Sequence, residues 1–550
     1  MASYSEWHQR IIDVHDAASD AGAAAQEVLR LGRETYSDLS DLERAGLRFT
    51  CSSLAINTGA TIGDVDILSR GKELARGAQR DVPTDHPLHF QCMYNVANAT
   101  LEICDLGMPT NGPWEEQLAG IAEIRRVHRS ELRDARRMLH EVGSSPVADS
   151  HTRSAAYCNL ANCLDHSGRW AEAYDFYLRA LDADPSNGNA AGNLAKLLMN
   201  RVISGVGQTG HLAAVHDKYA KLARLLRTGT IAFAGEETAA RWDDLRETES
   251  PGHLAHGMDG PDREYREWVA AHRLALSAAV EGLGTEEAHW DGAAIEILYG
   301  TTLDEMSPPI LAEMNVLKSD YLVSRRLAFD GYVHVAEGPE QKADDSGFYV
   351  ETLDYSLYGT QYSRLLLAQR SALDVLDKTA VVANEHFAVG DEARRVSFRQ
   401  FWSSKDGRVR SELQENPQRS LAALALSELA YDMDNGGMYA PSQALRNAGT
   451  HRIVHAAIID TTGVTVNARS RIDIFELVDS TVLALQATRS AYLYLVDLVA
   501  GWNHPIDHPD AYLPFPSYEY MKFPEEPGDN STPDGTDPAP QNQEDGEGSR

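Results

Sequence analysis

RSAAYCNLANCLDHSGRWAEAYDFYLRALDADP, residues 153–185, is the stretch on which the architecture turns. Tyr157, Leu160, Ala161 and Leu164 recur at the spacing of one helix face. Ala173, Tyr177 and Ala180 do the same on a second helix, Ser167-Gly168 supplies a turn between them, and Pro185 ends the unit. The small side chains of Ala161 and Ala173 let the two helices approach closely, while Tyr157 and Tyr177 fill the space around them. The pattern predicts a helical hairpin with one apolar side left over.

A hairpin of that kind stacks on copies of itself, and copies are present. Asn159-Leu160-Ala161 returns as Asn193-Leu194-Ala195, an offset of 34 residues, and Asn95-Val96-Ala97-Asn98 is an earlier echo. With that period the segment resembles a tetratricopeptide repeat. Residues 1–230 are therefore expected to be a TPR-like α-solenoid. A concave surface of that type suits a protein or peptide trigger; the other use of such a stack is as a rigid spacer.

The stretch 231–261 is polar, rich in Gly, Glu and Asp, and expected to be a linker. Further helical patterns follow, including EYREWVAAHRLAL at 264–276 and a helix opening on the proline pair of PPILAEMN. The last is SRIDIFELVDSTVLALQATRSAYLYLVDLV, with Ile472, Phe475, Val478, Val482 and Leu485 at helical spacing. Strand patterns are scarce, so the fold class is all-α, with a bundle of long helices over 262–505. Residues 523–550 are acidic and lack core-forming side chains, as in a disordered tail.

Composition narrows the function classes. The hydrophobic fraction is 43 %, and no apolar run approaches the roughly 20 residues that span a bilayer. The N-terminal MASYSEWHQRIIDVHDAASDAG has no apolar core of a secretory signal, so a cytoplasmic protein with no membrane association is expected. Cys51, Cys92, Cys104, Cys158 and Cys163 form no C-x-x-C pair and suit buried reduced thiols. A net charge of −32 argues against a general nucleic-acid coat.

Two motifs are set aside. SGVGQTG, 204–210, contains G-x-G-x-x-G but follows a helical pattern rather than a strand, which suits a loop between repeats. WNHPIDHPD offers His504, Asp507, His508 and Asp510, yet its prolines mark irregular chain leaving the last helix, and no metal site is expected there. ALRNAGTHRIVH, 444–455, is different in kind. It brings Arg446, Asn447 and His451 together just after the turn-forming DNGGMYAP, where a helix start favours anions. Gly449 permits a local distortion, which a straight helix would need because it splays Arg446 and His451 to different faces.

LRNAGTHR resembles the signature of the HEPN superfamily. The likeness extends over NVLKSDYLVSRRLAFDG, TLDYSLYGTQYSRLLLAQRSALDVLDKTAVVANEHF and EYREWVAAHRLAL, about residues 262–505, in the branch with TPR-like repeats at the N-terminus. It implies a metal-independent endoribonuclease without cofactors, acting on single-stranded RNA as a homodimer whose two motifs share one cleft. Repeat-controlled RNA cutting suits a toxin-like role in bacterial stress or anti-phage defence. Ile453 stands where HEPN proteins paired with nucleotidyltransferase antitoxins carry a tyrosine, so nucleotide attachment there is not implied.

The chemistry suits the residue types. His451 exchanges a proton near neutral pH. Arg446 stays cationic and stabilises a phosphorane, and the Asn447 amide orients phosphate or imidazole. Asp377, Asp354 and His455 are candidates for support, His455 one helical turn beyond His451; the other readings are internal salt-bridge partners for the two acids and a plain helix-surface histidine for His455. In RRVSFRQFWSSKDGRVR, 394–410, the mixture of Arg394, Arg395, Arg399, Lys405, Arg408 and Arg410 with Phe398, Phe401 and Trp402 suits RNA backbone and base stacking; the other reading is a solvated loop between bundle helices. The competing expectation is a non-catalytic TPR scaffold whose bundle only dimerises.

Overall fold

The computed structural model describes residues 3–205, 209–248, 262–281, 290–295, 297–299, 309–337, 349–350, 352, 356–443, 445, 453–457, 469–501 and 512–514. Residues 1–515 form one compact unit and 516–550 a second, which lies outside the described residues.

The N-terminal half is a run of antiparallel helices, α1 (Tyr4–Asp16), α2 (Ala21–Leu31), α3 (Asp41–Ile62), α4 (Val65–Arg80), α5 (Pro87–Leu106), α6 (Trp114–Val127) and α7 (Arg129–Ser144). The hairpin read at 153–185 is α8 (Ser150–Asp165) and α9 (Trp170–Ala183), followed by α10 (Gly188–Ser204), α11 (Thr209–Leu225) and α12 (Arg227–Asp243). Leu160, Ala161, Leu164, Ala173 and Ala180 are fully buried, as the apolar spacing requires. Gly168 makes the turn with φ of 77°. A β-carbon there would stand 2.8 Å from the backbone oxygen of Leu421, so the turn needs glycine for space as well as for its dihedral. The repeated asparagines pair between hairpins: Asn159 Nδ2 donates to Asn98 Oδ1 (2.8 Å), and Asn193 Nδ2 to Asn162 Oδ1 (3.0 Å). The five cysteines are buried and free. Residues 231–243, part of the stretch read as linker, belong to α12.

The C-terminal half begins with α13 (Arg263–Ala271) and is dominated by α14 (Pro309–Glu337), α15 (Thr360–His386), α16 (Pro417–Asp432) and α17 (Ile474–Ala500). Pro417 occupies the first turn of α16 and Asn416 caps it, its side chain accepting from Arg419 N at 2.9 Å. At Gly331 α14 and α15 touch: a β-carbon would lie 2.6 Å from Leu365 Cγ, so the two helices meet almost backbone to side chain.

Two small sheets interrupt the helices. β1 (Ile297–Tyr299) pairs antiparallel with β5 (Tyr512–Pro514). β2 (Ser356–Leu357) pairs antiparallel with β3 (Ile453–Ala457), which pairs parallel with β4 (Arg469–Asp473) in the register Ile453↔Arg469 to Ala457↔Asp473. Residues 470–473, expected as the start of the last helix, thus belong to a strand. Asp473 ends β4 and caps α17, accepting from Phe475 N at 2.8 Å and Glu476 N at 3.3 Å, so strand becomes helix at one residue.

Repeats and bundle meet over a buried ionic network. Arg125 donates to Glu428 at both Oε1 (3.0 Å) and Oε2 (2.9 Å), and Arg136 donates to Asp432 (2.8 Å twice) and Glu428 (3.1 Å). Arg169 grips Glu172 (2.6 and 2.8 Å) and also reaches Asp432. Three guanidiniums from α6, α7 and the α8–α9 turn thus face three carboxylates, two of them on α16. Burial works to raise the Asp432 carboxyl, but Arg136 and Arg169 outweigh it and hold it below the usual carboxylate range. Glu428 is held low in the same way by Arg125, Arg136 and Arg169 against its burial. The ionised forms are the ones this seam is built for.

Candidate functional site

Arg446, Asn447 and His451 lie outside the described residues, as do Asp354 and the His504–Asp510 group. The structure defines what holds the chain on either side of the motif. Before it, the C-terminal end of α16 gives way to a turn in which Gly436 has φ of 86°, and the chain is then helical at 440–443 and 445. Tyr439 is buried and its hydroxyl donates to Glu172 Oε1 on α9. Ser442, fully buried, donates to Ser480 O on α17 at 3.2 Å, and Ser480 Oγ in turn accepts from Gln369 Nε2 on α15 at 2.8 Å. Leu445 packs on a cluster of Tyr362, Leu365, Ala456, Ile474, Leu477 and Val478.

After the motif, β3 runs over the same cluster, burying Ala456 while Ile453 stays exposed. Leu445 and Ala456, on opposite sides of the motif in sequence, therefore share one apolar floor made by α15 and α17. The chain enters the motif from a helical turn and leaves it as a strand. This corrects the expected helix at His455, which sits in the middle of β3 and not one helical turn beyond His451. Its ring meets Tyr358 edge-on with centroids 6.3 Å apart, and its Nε2 is buried without a hydrogen-bond partner among the described residues. The signal for a strand was in the sequence. Ile453, Val454, Ile458, Ile459, Thr461, Thr462, Val464, Thr465 and Val466 are a β-branched run with no helical period.

Of the supporting residues, Asp377 and Arg399 lie beside the turn that leads to Arg446. With Ser397, Phe398, Met433 and Gln443 they line a cavity of about 80 Å³ there. Asp377 Oδ1 accepts from Phe398 N at 2.9 Å, and Arg399 donates to Asp434 at 2.9 Å. The other arginines also have acidic neighbours: Arg394 and Arg395 with Glu392, Arg408 with Asp406 (3.3 Å), and Arg410 with Asp391 (2.6 Å). Arg394, Arg395, Arg408 and Lys405 are exposed, as cations for a backbone need to be. The aromatic part of that expectation is overturned. Phe398, Phe401 and Trp402 are 1–2 % exposed and pack in the core, because an apolar ring gains more from burial than from waiting in water for a base.

Sequence reasoning did not find the tie between the motif's flank and the repeats. Arg169 and Glu172 hold Asp432 at one end of the turn and Tyr439 at the other. Tyr494 of α17 completes the arrangement, its hydroxyl donating to Glu172 Oε2 at 3.0 Å. No spacing rule joins residues 172 and 439; only the packed fold does.

Among the described residues, no group of three or more His, Cys, Asp or Glu is placed to hold a metal ion, and no helix is long and apolar enough to cross a membrane. Known families give this geometry its place. A family model of LA2681-like HEPN domains matches residues 301–501, and one of tetratricopeptide repeats matches 154–187. No curated protein matches the chain. The first match contains the motif, its apolar floor and α14 to α17; the second coincides with the α8–α9 hairpin. The chain thus carries a segment similar to LA2681-like HEPN domains over 301–501, with a tetratricopeptide repeat at 154–187 on its N-terminal side.

Proposed function

We propose that this protein is a metal-independent endoribonuclease that cuts single-stranded RNA at Arg446, Asn447 and His451. A HEPN domain points to RNA-related or nucleotide-binding function. The observation that carries the finer reading is the position of R-N-x-x-x-H inside the matched domain, with Leu445 and Ala456 on a common floor at its two sides. A segment tethered at both ends is how a short stretch presents side chains in a repeatable geometry.

RNA supplies its own nucleophile. The 2′-oxygen attacks the adjacent phosphorus, its proton passes to a base, the bond to the 5′-oxygen breaks, and that oxygen takes up a proton. The products are a 2′,3′-cyclic phosphate and a 5′-hydroxyl. His451 serves a proton transfer, Arg446 offsets the charge of the phosphorane, and Asn447 orients one or the other. One imidazole serves two proton transfers poorly, so a homodimer with two motifs in one cleft suits the reaction. The repeats act as the sensor for a protein or peptide trigger in stress or anti-phage defence, and the seam network is the path by which they reach the motif.

The test is direct. Purified wild-type protein and His451→Ala are incubated with single-stranded RNA in EDTA. Loss of general acid–base catalysis is expected to slow cutting about 10²–10⁴-fold, with an unchanged circular-dichroism melt. Equal rates in the two proteins would refute the assignment. Equal inactivity, also with candidate triggers, would favour a scaffold.

A further inference from the structure

A cleft of about 340 Å³ opens where the repeats meet the bundle. One wall is α6 and the start of α7; the other is α16 and the loop that carries Arg408. The size lies at the lower end of small-molecule sites, about 300–1,000 Å³. Four arginines line it; Arg125 is held by Glu428, which leaves the guanidiniums of Arg126, Arg129 and Arg408, while Ala119, Ala122 and Leu424 form an apolar side.

Arg129 is the unusual member. It is partly buried, and among the described residues it has no carboxylate within ion-pair distance. Its hydrogen bonds all run from Nη2 to neutral oxygens, Ser403 Oγ (3.3 Å), Ser427 O (3.2 Å) and Ser427 Oγ (3.3 Å). Tyr431 lies under the guanidinium, 4.1 Å from the ring centre, and Nη1 stands 3.5 Å from the β-carbon position of Gly407 at the cleft. In a chain with 82 acids against 50 bases, a partly buried arginine with no acid in ion-pair contact among the described residues is one that can take an anion from the cleft. Desolvation pulls its pKa down, with Glu428 acting the other way.

The two remaining cations are held lightly. Arg126 pairs with Glu123 and Arg408 with Asp406 on the surface, and exposed pairs of this kind contribute little because water screens them. A phosphate, which accepts from guanidinium in a bidentate fashion, competes readily with either. Glu428, the other acid on the wall, is already committed to Arg125 and Arg136.

We infer that this cleft binds a nucleoside di- or triphosphate, with Arg126, Arg129 and Arg408 on the phosphates and the base against Ala119, Ala122 and Leu424. The apolar side distinguishes this from a site for a bare anion. Arg125 and Glu428 line the cleft and belong to the seam network, so the ligand bridges repeats and bundle directly beside it. Binding stands independently of the ribonuclease reading.

Isothermal titration of the full-length protein with ATP, GTP, pyrophosphate and a short single-stranded oligonucleotide tests it, without reference to cleavage. At least one nucleoside triphosphate is expected to bind saturably, at least tenfold more tightly than pyrophosphate. Arg129→Ala is expected to weaken it tenfold or more. Arg408→Ala, on the exposed loop and safe for folding, is expected to weaken it severalfold. No saturable binding of either nucleotide, equal binding of pyrophosphate, or an oligonucleotide as the only ligand affected by both substitutions would each overturn the proposal.

Discussion

Asp432→Ala is the sharpest probe of how the two halves are joined. Asp432 is fully buried and accepts from Arg136 Nε and Nη2, each at 2.8 Å, and from Arg169 Nη1. The network is neutral as it stands: Arg125, Arg136 and Arg169 against Glu172, Glu428 and Asp432. Removal of one carboxylate leaves one buried positive charge in excess. Arg169 keeps Glu172, and Arg136 keeps a single bond to Glu428 at 3.1 Å. An uncompensated buried charge costs about 3–5 kcal/mol, which places the expected loss in that range. Urea denaturation followed by tryptophan fluorescence measures it as a lower midpoint at an unchanged slope. The acid side supplies an independent sign. Asp432 and Glu428 have folded pKa values below the ordinary ones. Their contribution is therefore complete above the unfolded values near 4 and falls away as pH drops through the folded values. Wild type should lose stability steeply on that descent and Asp432→Ala less so. A loss under about 1 kcal/mol, the level of an exposed pair, with an unaltered acid profile would refute the claim that these charges hold repeats to bundle.

Other outcomes follow from the same packing. Phe398→Ala should destabilise by about 3–5 kcal/mol, as for a buried aromatic, and leave the affinity for single-stranded RNA of the remaining folded protein unchanged; an RNA-binding defect without instability would restore the stacking role. Arg394→Ala with Arg395→Ala, both exposed, should leave the melt unchanged and flatten the salt dependence of RNA binding, by about 0.7 in log–log slope for each phosphate no longer neutralised. Filter binding at several salt concentrations reads this, and an unchanged slope would remove both from the RNA path. Asp473→Ala removes the cap where β4 becomes α17 and should cost about 0.5–2 kcal/mol, measured by urea denaturation; no change would mean that the strand pairing alone sets that boundary.

The long helices and the repeat were legible because each depends on local order. Apolar side chains at 157, 160, 161 and 164 make a face on any helix, and the turn at Gly168 needs a residue that tolerates a positive φ. The family motif was equally legible, being a short run of residue types. The local reading failed where a neighbour outside the window decides the conformation. Residues 453–457 and 469–473 are short segments that become strands by pairing with one another and with 356–357, partners that helical periodicity does not register. Likewise Phe398, Phe401 and Trp402 lie among arginines in sequence and in the core in space.

By its own spacing, then, the chain determined its long helices and its repeated helical hairpin, while the resemblance of LRNAGTHR picked out the three residues of the candidate centre. The tertiary structure decided what anchors the chain on either side of them: Arg169 and Glu172 against Asp432 and Tyr439, and Leu445 beside Ala456 on one floor. The reason is physical. Helical periodicity acts over a few residues, whereas a buried charge finds its partner only where the packed chain brings one, here more than 250 residues away.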